Sequence, residues 1–474
     1  MPFAVEPGSF RDPAGSVFYL DGRVLRGFDP TGWADFEALA ATRFWQRATE
    51  RGELVKTTAV ELATLPEATT KLTGIAGVVE HERIPVVSYP FEWTFSMLRA
   101  AALCHLDLLL AGLAEGFTMK DGYAYNLQFR GARPVFIDVG SFTRVQPGEP
   151  WAGYRQFCQT MLYPLLLQAH RGVRFQPFLR GAVQGITPQD ARGLLRGAGR
   201  RAGRRAGVLK HVVLHQAIDA RMSGARASDT RKELAAAGFS AELQAATVKA
   251  IRKLVAKLSW SEAGKPSTWS DYQRTSTYTD AERERKEAFV ERSLAAAAPL
   301  GICADLGGND GTYARIAQRH ASYVVAADAD AVTVDRLWQR LATEGNERIL
   351  PLVVDLTDPS PGLGWRGTER GPLFERLRPD AVLALALVHH LAISGNVPLP
   401  ALVDWWHGLG GRLVVEFVDP KDPMADRLLA NKPAGMHGDY RREVFERLLE
   451  QRFEVLDREE LPSGTRMLYH AVPR

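Results

Sequence analysis

Cysteine is scarce in this chain of 474 residues, which carries only three, far apart and outside any CxxC or Cys/His cluster. That spacing excludes a disulfide framework and a structural zinc site, and it is typical of a protein kept in a reducing compartment. We therefore expect Cys104, Cys158 and Cys303 to be buried thiols and the protein to be cytoplasmic. The first twelve residues contain neither the basic nor the apolar stretch of a secretory signal.

An excess of charge of either sign is also missing, since 59 basic residues are balanced by 55 acidic ones and the formal net charge is only +4. Composition alone therefore gives no reason to expect nucleic acid or an anionic membrane as a partner. The longest uncharged run, residues 381–403, is interrupted by two histidines, an asparagine, a glycine and two prolines. We interpret it as a buried strand and loop, and we expect no membrane association.

Apolar residues, by contrast, are plentiful: 46% of the chain is hydrophobic and 24% is charged, which excludes disorder and allows at least two cores. One stretch without acids, between Asp190 and Asp219, is rich in basic residues. They are Arg192, Arg196, Arg200, Arg201, Arg204, Arg205 and Lys210. We favour a solvated helical linker here, because isolated basic runs are often no more than that, and keep an RNA contact as the alternative.

From residue 301 onward, short apolar runs alternate with amphipathic helical segments, a pattern typical of an α/β domain. The predicted strands cover residues 301–306, 323–327, 349–354, 381–388 and 412–418. A helix at 441–452 and two strands at 453–461 and 465–472, joined by a Pro-Ser-Gly turn, predict an antiparallel edge hairpin. Together these segments predict a Rossmann-like seven-stranded sheet.

A glycine-rich turn follows the first of these strands and reads Asp305-Leu306-Gly307-Gly308-Asn309-Asp310-Gly311. Glycines let the backbone turn sharply and approach a ligand closely. A dinucleotide fingerprint requires G-x-G-x-x-G, which fails here because residue 309 is Asn and residue 312 is Thr. The turn therefore does not favour a dehydrogenase.

The remaining D-x-G-x-x-x-G pattern resembles the class I S-adenosylmethionine-dependent methyltransferases, over residues 271–474. The resemblance implies that Asp305 and Gly307 line the methionine part of the cofactor, and that Asp328, at the end of the second strand, holds the ribose hydroxyls. It further implies that Asp355 and Leu356 contact the adenine. The implied cofactor site is Asp305, Gly307, Gly308, Asn309, Gly311, Asp328, Asp355 and Leu356, with no metal in this domain. In the resembled family a capped helix such as that beginning at Thr279 covers the cofactor, which makes Tyr278 and Lys286 further candidates for ligand contact.

Candidate residues for the methyl transfer itself follow the fourth and fifth strands. His389 and His390 could take a proton near neutral pH, or could simply close the cofactor pocket. Glu416 is a third catalytic candidate, while Asp419 and Asp422 could orient an acceptor or cap loops. Since neither an Asn-Pro-Pro-Tyr motif nor a nucleophilic cysteine is present there, we prefer an O or N atom of a small molecule as acceptor over a nucleic-acid base.

The N-terminal half contains Asp121 and Asn126 five residues apart, then a predicted hairpin (127–130 and 134–137) that leads to Asp138. Over about 50 residues this spacing resembles protein-kinase-like and aminoglycoside-phosphotransferase-like folds. The resemblance implies Asp121 as a base, with Asn126 and Asp138 holding magnesium on ATP. The chain departs from the pattern because Met119-Lys120 precedes Asp121, no glycine-rich phosphate loop is evident, and the first 100 residues contain only Lys56 and Lys71. The alternative is a scaffold or acceptor-recognition module in which Asp121, Asn126 and Asp138 stabilise turns.

Taken jointly, the kinase-like region, Tyr278 and the terminal segment 464–469 resemble bacterial nodulation-protein-like methyltransferases. We predict an α+β kinase-like domain at 1–190, a basic helical linker at 191–270 and an S-adenosylmethionine-binding domain at 271–474. The expected function is methyl transfer to a small molecule, with the N-terminal domain selecting the acceptor or binding nucleotide. The alternatives are an RNA methyltransferase that uses the basic segment and a nucleotide-regulated interaction protein.

Overall fold

The computed structural model describes residues 3–12, 14–65, 71–146, 149–196, 211, 241–260 and 278–474. The chain divides into two compact units. The first comprises Met1–Phe129, Pro134–Glu262 and Gly362–Gly371, and the second comprises Arg130–Arg133, Ala263–Pro361 and Pro372–Arg474. Most of the basic segment (197–210) lies outside the described residues, and so does the predicted boundary at 271.

The first unit begins with an antiparallel five-stranded sheet in the order β1-β2-β3-β5-β4. Its strands are β1 (Ala4–Val5), β2 (Gly15–Leu20), β3 (Arg23–Phe28), β4 (Thr57–Val60) and β5 (Gly77–His81). Helices α1 (Pro30–Ala40) and α2 (Arg43–Glu50) lie between β3 and β4. Phe18, Leu25 and Val78 project from neighbouring strands into one buried cluster, which fixes the register of the sheet.

Helix α3 (Phe95–Leu113) is a long apolar helix of 19 residues. The Thr94 side chain caps it by accepting a hydrogen bond from the Met97 N–H, and residues 90–92 form a separate 3-10 turn. By length and composition α3 could cross a membrane, although half of that apolar window is buried inside the protein. Such burial is typical of a core helix.

After α3 the chain forms a pair of short sheets and a group of helices. Strands β6 (Phe117–Met119) and β9 (Phe142–Arg144) pair with each other, as do β7 (Leu127–Arg130) and β8 (Arg133–Phe136). The helices are α4 (Tyr154–Phe157), α5 (Tyr163–Arg171), α6 (Gln176–Gly181), α7 (Pro188–Leu194) and α8 (Ala241–Lys257). The side chain of Arg99 on α3 donates to the carbonyls of Val255 and Ala256 at the end of α8, so the two helices are tied together.

The second unit contains a seven-stranded sheet in the order β12-β11-β10-β13-β14-β16-β15. Its strands are β10 (Leu300–Leu306), β11 (Ala321–Asp328), β12 (Ile349–Val353), β13 (Ala381–Ala384), β14 (Arg412–Val418), β15 (Phe453–Glu460) and β16 (Arg466–Pro473). Strands β10 to β14 are parallel and almost wholly apolar, whereas β16 pairs antiparallel with both β14 and β15. Along the edge strand β15, exposed residues alternate with buried or partly buried ones, as expected for a strand with one solvated face.

The helices of the second unit connect these strands. They are α9 (Asp280–Ala295), α10 (Thr312–Ala317), α11 (Ala331–Thr343), α12 (Leu373–Arg376), α13 (Leu399–Gly408), α14 (Pro423–Leu429) and α15 (Arg442–Arg452). The predicted strand at 381–388 is too long, because β13 ends at Ala384 and a π-helical turn spans His390–Ser394. Ala386 between them has a φ of 49°, which breaks the strand.

Two details were not foreseen. Residues Gly362–Gly371, which lie between β12 and β13 in the sequence, pack as part of the first unit. Cys158 and Cys303 are buried thiols as expected, but Cys104 is only partly buried because it lies on a half-exposed position of α3.

Candidate functional site

The first element of the site is the turn that joins β10 to α10. Gly307 and Gly311 have φ angles of 75° and 83°, and Asn309 has a φ of 44°. The N–H groups of Gly307 and Gly308 donate to the Ala327 carbonyl of the adjacent strand, at 2.8 and 3.1 Å. The glycines therefore let the turn fold back over the end of β11, where a side chain at 307 or 311 would be strained.

Asp305 is the next-to-last residue of β10 and is 2% exposed, and its Oδ2 has no hydrogen-bond partner among the residues that the structure describes. Burial, reinforced by the nearby charge of Asp328, raises the pKa of Asp305 to about 7. A buried carboxylate oxygen without a donor is costly unless a ligand supplies one. The position therefore suits a ligand that brings a cationic or N–H donor.

Asp328 ends β11 beside the turn. Its Oδ2 accepts the Asn309 N–H at 3.0 Å and its Oδ1 accepts the Asp330 N–H at 2.9 Å. Burial raises its pKa, although these two hydrogen bonds oppose the change. Each oxygen keeps a second lone pair, so the carboxylate can still accept two hydroxyl donors from a ligand.

The next acid along the sheet, Asp355, follows β12 and is exposed. Its Oδ1 accepts the N–H and the hydroxyl of Thr357, at 2.9 and 2.6 Å, so the carboxylate caps its own turn. Leu356 beside it is partly buried. Because β10, β11 and β12 are parallel neighbours, Asp305, Asp328 and Asp355 all lie at the same edge of the sheet.

The two histidines lie after β13, the other neighbour of β10. His389 is fully buried, and within the described part of the chain neither ring nitrogen has a hydrogen-bond partner. His390 stacks on it, with ring centroids 4.0 Å apart. Burial lowers the pKa of both, that of His390 to about 4, so both imidazoles are neutral at physiological pH.

Glu416, the third catalytic candidate, is fully buried within β14, and both of its carboxylate oxygens have partners. Its Oε2 lies 2.6 Å from Lys286 Nζ, and its Oε1 lies 3.2 Å from Arg466 Nη1 and 2.6 Å from the Tyr278 hydroxyl. Burial alone would raise its pKa, but Lys286 and Arg466 hold the pKa of Glu416 at about 2. Such a carboxylate is a very weak base.

Comparison with known proteins gives one long match. The chain is 34% identical over 470 residues to the nodulation protein NoeA of Rhizobium meliloti strain 1021, covering 98% of this chain and 94% of that one. The chain belongs to the NoeA family of nodulation proteins. No protein-family model matches it.

Solved structures similar to part of this NoeA-family chain are S-adenosylmethionine-dependent methyltransferases. The N-methyltransferase NodS of Bradyrhizobium japonicum WM9 is 13% identical, with 41% of this chain and 98% of that one covered and a TM-score of 0.31. Magnesium protoporphyrin IX methyltransferase of Synechocystis PCC 6803 is 16% identical, with coverages of 41% and 84% and a TM-score of 0.29. At such TM-scores these likenesses do not assign an activity to the NoeA family.

The feature that sequence analysis missed is a buried ionic cluster in the second unit. Its members are Tyr278, Lys286, Glu416, Asp422 and Arg466, each at most 9% exposed. Arg466 Nε and Nη2 contact the two Asp422 oxygens at 2.8 and 3.2 Å, and Arg466 also donates to the Tyr278 hydroxyl. Sequence analysis noted four of these residues separately, for ligand contact or catalysis. It could not predict that they meet, because the residues in contact lie up to 188 positions apart in the chain.

In the first unit, burial raises the pKa of Asp121, and the nearby charge of Asp138 adds to this effect. The Nδ2 of Asn126 in the same loop is buried and has no hydrogen-bond partner among the described residues. Arg26 on β3 contacts Asp138, with its Nη2 2.7 Å from Asp138 Oδ1. Lys120 pairs with Asp12 at 3.3 Å.

Proposed function

We propose that this NoeA-family protein is an S-adenosylmethionine-dependent methyltransferase that acts on an O or N atom of a small molecule. One observation carries the proposal: a buried, unpartnered Asp305 and a left-handed glycine turn lie beside Asp328 at the carboxyl edge of a parallel sheet. Ligands of open α/β sheets bind at this edge, where the strand order reverses between β10 and β13. We propose that Asp355 and Leu356 complete the site, and that Gly308 and Asn309 contribute backbone to it.

The residues fit this cofactor by their donor and acceptor chemistry. The free Asp305 oxygen suits an ammonium group, and the two oxygens of Asp328 suit a pair of vicinal hydroxyls. When bound, S-adenosylmethionine supplies a methyl group on a sulfonium, which an acceptor atom displaces in line to leave S-adenosylhomocysteine. The protein must then mainly align the acceptor and exclude water.

His389 is the side chain we propose to contact the acceptor. It is neutral, buried and free at both ring nitrogens, so it can accept the acceptor's hydrogen bond and orient its lone pair. His390 packs against its ring and restrains it. Glu416 is not proposed as a base, since Lys286 and Arg466 already neutralise its charge.

The test is calorimetric titration of the full chain with S-adenosylhomocysteine. We expect micromolar binding, weakened about tenfold or more by Asp305→Asn and by Asp328→Ala, because each removes a charge-assisted hydrogen bond. Glu344→Gln is the matched control, since Glu344 pairs only with exposed groups such as Arg315 in the same unit. Absence of binding to the parent, or equal binding by both aspartate variants and the parent, would refute the proposal.

We also propose that the first unit binds ATP with magnesium and that it selects the acceptor. The observation favouring nucleotide is the contact of Arg26 with Asp138, which places a buried cation beside one of the proposed metal ligands. Among the described residues no three His, Cys, Asp or Glu side chains gather into a metal site. Asp138 and the Asn126 oxygen would therefore hold magnesium only together with phosphate oxygens, as is common for this ion, with Asp121 as the base.

Titration with ATP in the presence and absence of magnesium tests this second site. We expect magnesium-dependent binding that Asp138→Asn abolishes, because that carboxylate is both a proposed metal ligand and the partner of Arg26. Asp190→Asn, at the exposed cap of α7, should bind like the parent. If the parent shows no heat with ATP and magnesium, Asp121, Asn126 and Asp138 are turn-stabilising residues of a scaffold.

A further inference from the structure

The buried ionic cluster lies next to the glycine turn that joins β10 to α10, which we call the cofactor turn. Glu416 connects the two. Besides Lys286 and Arg466, the Glu416 carboxylate has one backbone partner: its Oε2 accepts the N–H of Ala386 at 2.9 Å. Ala386 follows β13 and has a φ of 49°, a conformation that an alanine rarely adopts. Strained backbone of this kind persists only where its surroundings hold it.

The residue after Ala386 reaches the cofactor turn. A Cβ atom placed on Gly307 would lie 3.3 Å from Leu387 Cδ1, so the Leu387 side chain packs directly on that glycine. The Leu387 carbonyl in turn accepts the N–H groups of His390 and Leu391, at 3.0 and 3.1 Å, and so begins the turn that carries both histidines. The position of Leu387 therefore sets one wall of the proposed cofactor pocket and the start of the acceptor side.

The cluster explains why a glutamate can hold this backbone so firmly. Lys286 contacts one oxygen of the Glu416 carboxylate and Arg466 contacts the other. Asp422 pairs with Arg466 and so balances the second positive charge. The Lys286 ammonium also lies over the rings of Tyr278 and Tyr313, with centroid distances of 4.7 and 4.9 Å. Because two carboxylates and two cations are buried together, the Glu416 carboxylate stays charged and its geometry is fixed.

We propose that Glu416 is a positioning residue for the cofactor pocket: its carboxylate, held by Lys286 and Arg466, fixes the Ala386 N–H and so presses Leu387 onto Gly307. This inference rests on the proposed function and assigns Glu416 a role other than the base expected from sequence. It also gives Lys286 and Arg466 a function without contact with the ligand.

The test compares two charge-balanced double variants of the full chain, Lys286→Met/Glu416→Gln and Lys286→Met/Glu416→Leu. Each removes one buried cation and one buried anion, but only glutamine keeps an oxygen that can accept the Ala386 N–H. We expect the leucine variant to bind S-adenosylhomocysteine about tenfold more weakly than the glutamine variant, the usual effect of leaving a buried donor unpaired. Amide hydrogen exchange in the peptide covering residues 381–394 should be faster in the leucine variant.

Leu387→Ala tests the packing of Leu387 on Gly307 without altering any charge. We expect it to weaken S-adenosylhomocysteine binding as well. Tyr440→Phe is the control, because it removes another buried hydrogen bond to β14, from the Tyr440 hydroxyl to the Val418 carbonyl, without touching Ala386. Equal affinity and equal exchange in the two double variants, or unchanged affinity in Leu387→Ala, would overturn the inference. Absence of binding to the parent would instead refute the proposed function on which it depends.

Discussion

At the scale of single residues, Asp305 shows how a site can be built at the expense of stability. The carboxyl is buried, its Oδ2 has no donor and its pKa is about 7, whereas in an unfolded chain it would be near its ordinary value of 3.8. Burial is the main cause, and the charge of Asp328 adds to it. Functional acids are often held in such unfavourable settings, since the ligand supplies what the protein lacks.

Asp305→Asn should therefore make the ligand-free protein more stable at neutral pH. Between about pH 4 and 7 the folded state holds a proton on Asp305 that the unfolded state has released, so the parent loses stability as pH rises through this window. An asparagine has no proton to lose. We expect the variant to gain at least about 1 kcal/mol over the parent at pH 8 relative to pH 4, the value of roughly one pKa unit.

Urea unfolding of parent and variant at several pH values measures this difference. Glu344→Gln again provides the comparison, because Arg315 lowers the pKa of Glu344 and its removal should give the opposite trend or none. A pH-independent difference between parent and Asp305→Asn would show that the Asp305 pKa is not raised in the folded protein.

At the scale of secondary-structure elements, local patterns predicted the elements whose causes are local. The parallel strands β10 to β14 were recognised because buried strands are runs of apolar residues, and α9 because Thr279 and Glu282 form a capping box. The predicted strand at 381–388 was wrong beyond Ala384, because a carboxylate 30 residues away holds Ala386 in a left-handed conformation. In the same way Arg26 meets Asp138 only through the tertiary fold.

The capping box of α9 allows a prediction at this scale. The Thr279 hydroxyl accepts the Glu282 N–H at 3.2 Å, while the Glu282 carboxylate accepts the N–H groups of Thr279 and Ser463. Thr279→Ala should lower the free energy of unfolding by about 1 kcal/mol, and Thr279→Ser should restore most of it. Thermal unfolding of the three proteins measures this, and equal stability of the alanine and serine variants would contradict a capping role.

At the scale of the whole molecule, the chain order and the two compact units do not coincide. Residues Gly362–Gly371 belong to the first unit although the sequence on both sides belongs to the second. Within the first unit, Glu369 is 2% exposed and accepts two hydrogen bonds from Arg11, at 2.7 and 2.8 Å. Arg370 lies over the ring of Tyr125, 4.4 Å from its centroid. This excursion is therefore an integral part of the first unit.

The two ends of the excursion are held together in the second unit, where the Leu373 N–H donates to the Ser360 carbonyl at 3.1 Å. A short Gly-Ser connection could thus replace residues 362–371 without displacing Ser360 or Leu373. We expect this deletion to leave S-adenosylhomocysteine binding within about threefold of the parent, because the residues proposed to bind the cofactor all lie in the second unit, outside this segment. The first unit should lose stability, since Arg11 and Tyr125 lose their partners.

Glu369→Ala in the intact chain is the matched comparison, because it removes the pairing with Arg11 and the hydrogen bond from the Trp365 N–H but keeps the rest of the segment. Since this acid is buried and its partner half-exposed, we expect about 1–2 kcal/mol of destabilisation, again with cofactor binding preserved. Calorimetric titration and thermal unfolding of both proteins separate the two effects. Loss of S-adenosylhomocysteine binding in the Glu369 variant would show that the proposed cofactor site of the second unit depends on the first unit, so that the two units behave as a single cooperative molecule.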